Sequence, residues 1–306
     1  MFTDITGKKR LKLGLHTHTT CSDGRKSPEE VLKLYADAGY DALALTDHWV
    51  YRPAGEAYGM QILSGCEYNM QGRETPDGII ETFHILGIGM EREPQIPQEY
   101  TRVNTSDVPI HQRVREAVAE IRAAGGLAVL AHPAWSLNTV AQIVAAGDYD
   151  ATEIYNSVSE CGMSDRPYSG LVVDMLGAQG IFMPLLATDD AHYYTGEQCR
   201  GITMVEADAV EELGVVGALR AGRFYATQGP EVHLQRVDAD TVKLRCTPAV
   251  KIAFLSDIPW SAGRMVRGEG VTEAEYTIKH NLCERFVRVE VTDANGLTAW
   301  SNILEV

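Results

Sequence analysis

Two histidines one residue apart, His16 and His18, stand at the end of an apolar run from Leu11 to Leu15, and the polar turn after them carries Asp23. Side chains alternate along an extended chain, so His16 and His18 share a face. Two neutral imidazoles on one face can grip a single zinc-like ion. The same kind of residue recurs in or just after one apolar run after another: His48, Glu67, His84, His132, Asp190 and His192. Singly, each has a plainer reading. His48 can cap a turn, Glu67 can be a surface charge, His84 can be a satisfied core histidine, and His132 before Pro133 can belong to a turn. Together they include six of the chain's nine histidines. His111, His233 and His280 lie elsewhere, in a helical stretch and in the tail. Burying six imidazoles and three carboxylates together is costly without cations, and metal ions remove that cost.

The elements that position these residues follow from the pattern. Ser27-Pro28-Glu29-Glu30 reads as a helix start with Ser as N-cap and Glu at N3. The helix runs on through Val31, Leu34, Tyr35 and Ala38 to a stop at Gly39. Asp41 to Thr46, Gln61 to Cys66, Phe83 to Ile88, Leu127 to Ala131, Asp150 to Tyr155 and Phe182 to Ala187 read as further buried strands. Ile110 to Ala124, Thr139 to Ala146, Gly170 to Gln179 and Val210 to Ala221 read as helices, and Glu91 to Pro109 as a loop. Repeated β-α alternation with non-alternating strands predicts a parallel sheet. Polar residues at the C-terminal strand ends predict an active site of the kind β/α barrels build there. About seven barrel strands over residues 1–228 predict an incomplete or distorted barrel in place of a regular eight-stranded one. From Gly229 the strands alternate apolar and polar, which predicts a small C-terminal antiparallel β-sandwich over residues 229–306.

The bulk properties narrow the class. The chain has 306 residues, 45% apolar and 23% charged, with a net charge of −15. Long nucleic acid would be repelled overall, and no basic run offers a local site. Met1 to Arg10 lacks an apolar segment, and no stretch approaches about 18 uninterrupted apolar residues, so neither a signal peptide nor a membrane span is expected. Six scattered cysteines without a Cys-x-x-Cys pair read as reduced thiols of a cytoplasmic protein. Cys21 and Cys66 alone sit beside suspected ligands.

The motifs His16-Thr17-His18, Ser22-Asp23-Gly24, Thr46-Asp47-His48, Gly65-Cys66-Glu67, Phe83-His84-Ile85-Leu86, Ala131-His132-Pro133 and Asp190-Ala191-His192 stand in an order that resembles the PHP (polymerase and histidinol phosphatase) metal-dependent phosphoesterases. The resemblance implies a distorted (β/α)7 TIM-like barrel with two to three divalent ions, and mixed His and carboxylate sites accept Zn, Mn or Fe. His16, His18, Glu67 and Asp190 would hold one, with Glu67 bridging to a second held by His84 and His132. Asp23, His48 and His192 would hold a third. Asp23 stands where some family members have a histidine, and a carboxylate there favours a harder ion. The tail is similar to that of a PHP branch that includes carbamate and ester hydrolases of the carbaryl-hydrolase type.

The expected chemistry is hydrolysis of a small phosphoester by a hydroxide shared between ions roughly 3.5–4 Å apart. Three such ions, set against three carboxylates and a hydroxide, leave about +2, which draws a small anionic substrate. Glu67, Asp190 and His192 are the expected catalytic residues, His192 assisting the leaving oxygen. Asp47, Glu153 and Asp189 are candidates for orienting the ligands from behind. Arg25, Arg52, Arg166 and Arg200 are candidate phosphate contacts. Trp135 and Tyr194, with Trp49, Tyr51 and Tyr193, are candidate stacking surfaces. Two alternatives share the site: a carboxyl-ester or carbamate hydrolase, and a non-catalytic metal-binding or partner-recognition protein. Oligomeric state is not readable from the sequence.

Overall fold

Strands covered on both faces must be apolar throughout, and Leu11 and Leu13 are fully buried in the second strand of the computed structural model. The structure describes residues 1–74, 80–101, 106–161, 164–206 and 212–306. In chain order the elements begin with β1 (Phe2–Thr3), β2 (Lys9–Gly14), α1 (Pro28–Asp37), β3 (Ala42–Ala44), β4 (Gly55–Ala57), β5 (Met60–Leu63), β6 (Gly65–Glu74) and β7 (Ile80–Ile88). Then follow α2 (Ile110–Ala123), β8 (Leu127–Leu130), α3 (Val140–Ala146), β9 (Ala151–Asn156), α4 (Gly170–Gly177), β10 (Leu185–Thr188), β11 (Ile202–Glu206), α5 (Glu212–Arg220) and β12 (Phe224–Thr227). The tail supplies β13 (Val232–Arg236), β14 (Thr241–Leu255), β15 (Met265–Thr277), β16 (Phe286–Thr292), β17 (Thr298–Trp300) and β18 (Leu304–Glu305).

The result is a mixed α/β fold with two sheets. One runs β10-β9-β8-β7-β6; the other runs β13-β14-β16-β17-β12-β11-β2-β3-β5-β4. Leu11, Leu13, Leu15 and Leu63 of the long sheet meet Leu86, Val129 and Leu186 of the short one in a common core. Isolated bridges join the sheets beyond the strand ends, Thr17 to Ala191 and His48 to Glu67.

The expected helix α1 has its full capping box: the Ser27 side chain accepts from Glu30 N, and the Glu30 side chain accepts from Ser27 N. The start of the expected helix from Val210 lies outside the described residues, as do residues 102–105 of the expected loop. Parallel pairing holds for β2-β3-β5 and for β8-β9-β10. It does not hold at β7, which is antiparallel to both β6 and β8. Only residues 75–79 separate β6 from β7, and a parallel crossover needs about a dozen residues.

The single strand expected from Gln61 to Cys66 is broken at Ser64. Its first part, β5, joins one sheet, and β6 starts the other. Gly65 makes the change possible, since a Cβ there would sit 2.5 Å from the Leu45 carbonyl oxygen. The sequence reading also passed over β11 and β12, which pair with each other and carry the sheet from β2 to β17. The tail strands therefore continue the sheet of β2. Arg288 on β16, fully buried, reaches α4 through a two-pronged pair with Asp174 at 2.6 and 2.8 Å. No helix among the described residues is long and apolar enough to cross a membrane.

Two glycines should respond in opposite ways to a methyl group. A Cβ at Gly201 would lie 2.0 Å from the Thr188 carbonyl oxygen, whereas Gly217, inside α5, has nothing within 4 Å. Gly201→Ala should cost about 3 kcal/mol. Gly217→Ala should stabilise by about 0.5–1 kcal/mol. Urea unfolding midpoints of the two variants measure both, and a shift in the same direction for both would contradict this packing.

Candidate metal centre

The strand ends are tied to one another by backbone bonds just where the candidate ligands sit. Beyond β2 the chain stays extended, and Leu15, His16, Thr17 and His18 are all fully buried. Asp190 N donates to His16 O at 2.9 Å, His18 N to Ala191 O at 3.0 Å, and Thr46 N to Thr17 O at 2.9 Å. Gly24, in the turn after His18, is a required glycine: a Cβ there would lie 2.4 Å from His18 O.

All nine expected ligand residues converge in three groups, and within each group the ligand atoms lie within 4.8 Å of one another. The first group is His16, His18, Glu67 and Asp190. His16 Nε2 and His18 Nε2 are 3.2 Å apart. Each also lies 2.9–3.2 Å from Glu67 Oε2 and from Asp190 Oδ1. Four donors about 2.0–2.2 Å from a tetrahedral ion would stand about 3.3–3.6 Å apart, so the observed set fits such an ion to within a few tenths of an ångström. Glu67 Oε2 and Asp190 Oδ1 are buried and accept no hydrogen bond, which leaves both free to ligate.

The second group is Glu67, His84 and His132. Glu67 Oε1 lies 2.8 Å from His84 Nδ1 and 3.5 Å from His132 Nε2. The third group gathers His18, Asp23, His48 and His192. There Asp23 oxygens stand 3.4 Å from His192 Nε2 and 3.6 Å from His48 Nε2. Asp23 is half exposed, so this third group opens to solvent.

The electrostatics of the cluster call for cations. Burial favours the neutral Glu67 carboxyl, yet His16, His48 and His84 beside it hold its pKa well below the usual range. Asp190 behaves likewise beside His16 and His192. Burial disfavours protonated His16, but Asp190, Glu67 and Glu153 outweigh it and raise its pKa. For His192 burial is again outweighed, by Asp190 and Asp23, and its pKa stands at about 9. At His48 burial wins, lowering the pKa to about 4. The buried carboxylates thus draw protons onto neighbouring imidazoles, and divalent ions would supply the same compensation.

Four candidate ligands are held from behind through Nδ1, His18 by Ser22 Oγ at 3.3 Å among them. Glu153, fully buried, sits 2.7 Å from His16 Nδ1; a carboxylate only accepts, so the ring donates there and turns Nε2 inward. His192 Nδ1 donates to Asp190 O at 2.7 Å, and His132 Nδ1 faces Ser136 Oγ at 3.2 Å. Asp47 and Asp189 touch no candidate ligand ring. Asp47 accepts from Thr19 N at 2.7 Å and Ser22 Oγ at 2.9 Å, fixing the loop that follows His18. Asp189 accepts from the backbone N–H groups of Cys199, Arg200 and Gly201 and from Tyr35. Burial, only partly offset by those bonds, lifts its pKa to about 6.

A cavity of about 420 Å³ opens over the groups. Among the described residues that line it there is no Lys or Arg. Of the four arginines expected to clamp a phosphate, Arg25 is exposed and stacks on the Tyr193 ring at 4.9 Å. Arg52 leans on Asp47 at 3.5 Å, Arg200 pairs with Glu160 at 2.7 Å, and Arg166 is exposed away from the lining. Trp135 lines the cavity and packs against His84 and His132. Tyr194 does not line it; its hydroxyl donates to His18 O, and its neighbour Tyr193 forms the wall. Cys66 is buried, its thiol pushed up to about 12 by burial, and all six cysteines are free.

The sequence reading missed Asn69 and Gln71 in the cavity wall, although both follow Glu67 at the two-residue spacing of one strand face. It also missed Thr188, whose hydroxyl donates to Glu153 at 2.7 Å. Asn156 ties two carboxylates together: its amide nitrogen donates to Glu153 at 2.8 Å and to Asp190 Oδ2 at 3.2 Å.

The family model described as PHP domain matches residues 14–166, half of the chain, and the chain belongs to that family. A PolC-type DNA polymerase III from Caldanaerobacter subterraneus is 37% identical over 82 residues, 25% of this chain and 6% of that protein. A phosphoribosyl 1,2-cyclic phosphate 1,2-diphosphodiesterase from Eggerthella lenta is 36% identical over 83 residues, 25% of this chain and 30% of that protein. The chain thus matches less than a third of either relative's length. A solved two-domain protein from Bacteroides vulgatus, described as containing a predicted PHP-like metal-dependent phosphoesterase, shares the fold. It has a TM-score of 0.53 at 17% identity, over 99% of this chain and 96% of that one.

Glu153→Gln should weaken the ion held at His16 roughly 10- to 100-fold, because a Gln oxygen is a poorer acceptor for the His16 Nδ1–H. Competition with a chromophoric chelator measures this, and unchanged affinity would remove Glu153 from the centre.

Proposed function

We propose that this chain is a metal-dependent hydrolase of small phosphoesters, phosphomonoesters or phosphodiesters. The observation that carries the reading is the pair of buried oxygens, Glu67 Oε2 and Asp190 Oδ1, facing two imidazole nitrogens without a hydrogen bond. His16, His18, Glu67 and Asp190 would hold one ion, Glu67 with His84 and His132 a second, and Asp23, His48 and His192 a third. Bound divalent ions of the Zn, Mn or Fe type supply Lewis acidity and make a water nucleophilic near neutral pH. Glu153 and Asn156 keep His16 and Asp190 aimed inward, and Trp135 shields His84 and His132 from bulk water. His192 and Asp23 at the solvent side, among the ligands of the third ion, would place that ion to serve the leaving oxygen.

The cavity walls carry carboxylates and no cation among the described residues. Attraction of an anionic substrate therefore rests on the ions themselves, which favours a small ester over a long polyanion. The Eggerthella lenta relative is named a phosphodiesterase, in keeping with a phosphoester substrate. The Thr17–Ala191 and His48–Glu67 bridges support treating the two sheets as halves of one distorted (β/α)7 barrel over residues 1–228. The alternating tail supports a β-sandwich over residues 229–306, one that shares its sheet with β12, β11 and β2.

Metal-loaded protein should turn over nitrophenyl phosphate or bis-nitrophenyl phosphate and leave nitrophenyl acetate largely intact. A preference for acetate would favour the carboxyl-ester or carbamate alternative, and no turnover of any of the three at full metal occupancy would remove the enzyme reading for generic esters. Glu67→Gln should lower the metal content by at least one ion per chain; unchanged stoichiometry by elemental analysis would contradict the shared role of Glu67.

A further inference from the structure

On β6 the residues Glu67, Asn69 and Gln71 fall on one face and all line the cavity. Trp49 Nε1 lies 2.7 Å from Asn69 Oδ1 and 3.2 Å from Asn69 O. An indole nitrogen only donates, so the atom facing it must be the amide oxygen, and the Asn69 amide can be oriented one way. Its NH2 group is then turned from Trp49, and it has no partner among the described residues. Asn69 stands directly opposite His84 in the antiparallel pair of β6 and β7. Cross-strand neighbours on one face stand about 4.5–5.5 Å apart at Cβ, so the free amide lies beside the Glu67, His84 and His132 group.

Trp49 is itself held. Its backbone has φ 56°, in the left-handed region, its N–H donates to Glu67 O at 2.9 Å, and its ring packs edge-on against Tyr68 at 5.1 Å. The donor is thus pre-aimed by a residue anchored to the backbone of Glu67. No Lys or Arg among the described residues serves this wall. We propose that the Asn69 amide is a substrate-binding donor: it contacts a phosphoryl oxygen of a ligand at the Glu67, His84 and His132 group, and Trp49 is the positioning residue that fixes its direction. This rests on the phosphoesterase reading and adds to it a substrate subsite made of an uncharged donor in place of an arginine clamp.

The test uses the full-length, metal-loaded chain with inorganic phosphate as the probe, read by calorimetry, and metal content by elemental analysis. Asn69→Ala should retain its metal and bind phosphate roughly 10- to 100-fold more weakly, as for a lost hydrogen bond to a charged group. Asn69→Asp, nearly the same shape but unable to donate when ionised, should be weaker still. Trp49→Phe should lose part of that affinity, and the double variant Trp49→Phe with Asn69→Ala should be no weaker than Asn69→Ala alone. Phosphate affinity unchanged in both Asn69 variants would overturn the proposal, as would loss of metal in both, which would make Asn69 a support of the centre. Failure of the metal-loaded wild type to bind phosphate would overturn it too. If phosphate binding follows the expected pattern while no nitrophenyl ester is turned over, the subsite stands and the hydrolase reading fails. If esters are turned over and Asn69 is silent, the reverse holds.

Discussion

The structure is arranged around a charge that the protein alone leaves unbalanced. Glu67 and Asp190 are buried, and one oxygen of each faces His16 and His18 without a hydrogen bond. A buried carboxylate without compensation costs several kcal/mol. Here the cost is met by imidazoles that must themselves gain protons, or by cations. Protonation is a poor solution, because His16 Nε2 and His18 Nε2 stand 3.2 Å apart and two imidazolium rings would repel. A cation between them satisfies both nitrogens and both oxygens at once. The requirement explains why Glu153, itself buried, takes the far side of His16: it accepts from Nδ1 and turns Nε2 toward the candidate centre.

The backbone bears a related strain. Trp49, His132 and Asp190 all have positive φ, at 56°, 27° and 52°, a region that non-glycine residues seldom enter. Each has its N–H tied to the site: Trp49 to Glu67 O, His132 to Glu153 Oε2, Asp190 to His16 O. At these three positions the bonds that hold the strained backbone come from other candidate ligands or their supports. Removing one support loosens a neighbour as well as its own residue, so mutational effects in this cluster should be non-additive.

Much of this was legible in the sequence, for physical reasons that also mark the limits. The convergence of the candidate ligands was readable because buried His, Asp and Glu after apolar runs have few inexpensive explanations. Their groupings came from the family resemblance, and the distances fit those groupings. Helix α1 was readable because its capping box is local. The reversed strand β7 was not, since its apolar pattern is the same in either direction and only the five-residue link to β6 betrays it. Strands β11 and β12 are short, and their identity as sheet members depends on partners far away in sequence, β2 and β17. The arginines were misleading for a different reason. Proximity to a ligand in sequence does not set the direction of a long side chain, and Arg52 and Arg200 are drawn to Asp47 and Glu160.

The charge distribution links the fold to the chemistry. A chain with a net charge of −15 repels anions at long range. The cavity repeats that sign at short range, with Asp23, Glu67 and Asp190 in its wall. A site built with fixed arginines would attract anions whether or not metal is bound. Here the potential would depend on bound ions, because the candidate ligands that would receive them are also the only acids of the lining among the described residues. Affinity for an anion and occupancy of the candidate centre would then be two readings of one equilibrium. Neutral donors such as Asn69 can refine that affinity without adding a charge that would compete with the ions for Glu67.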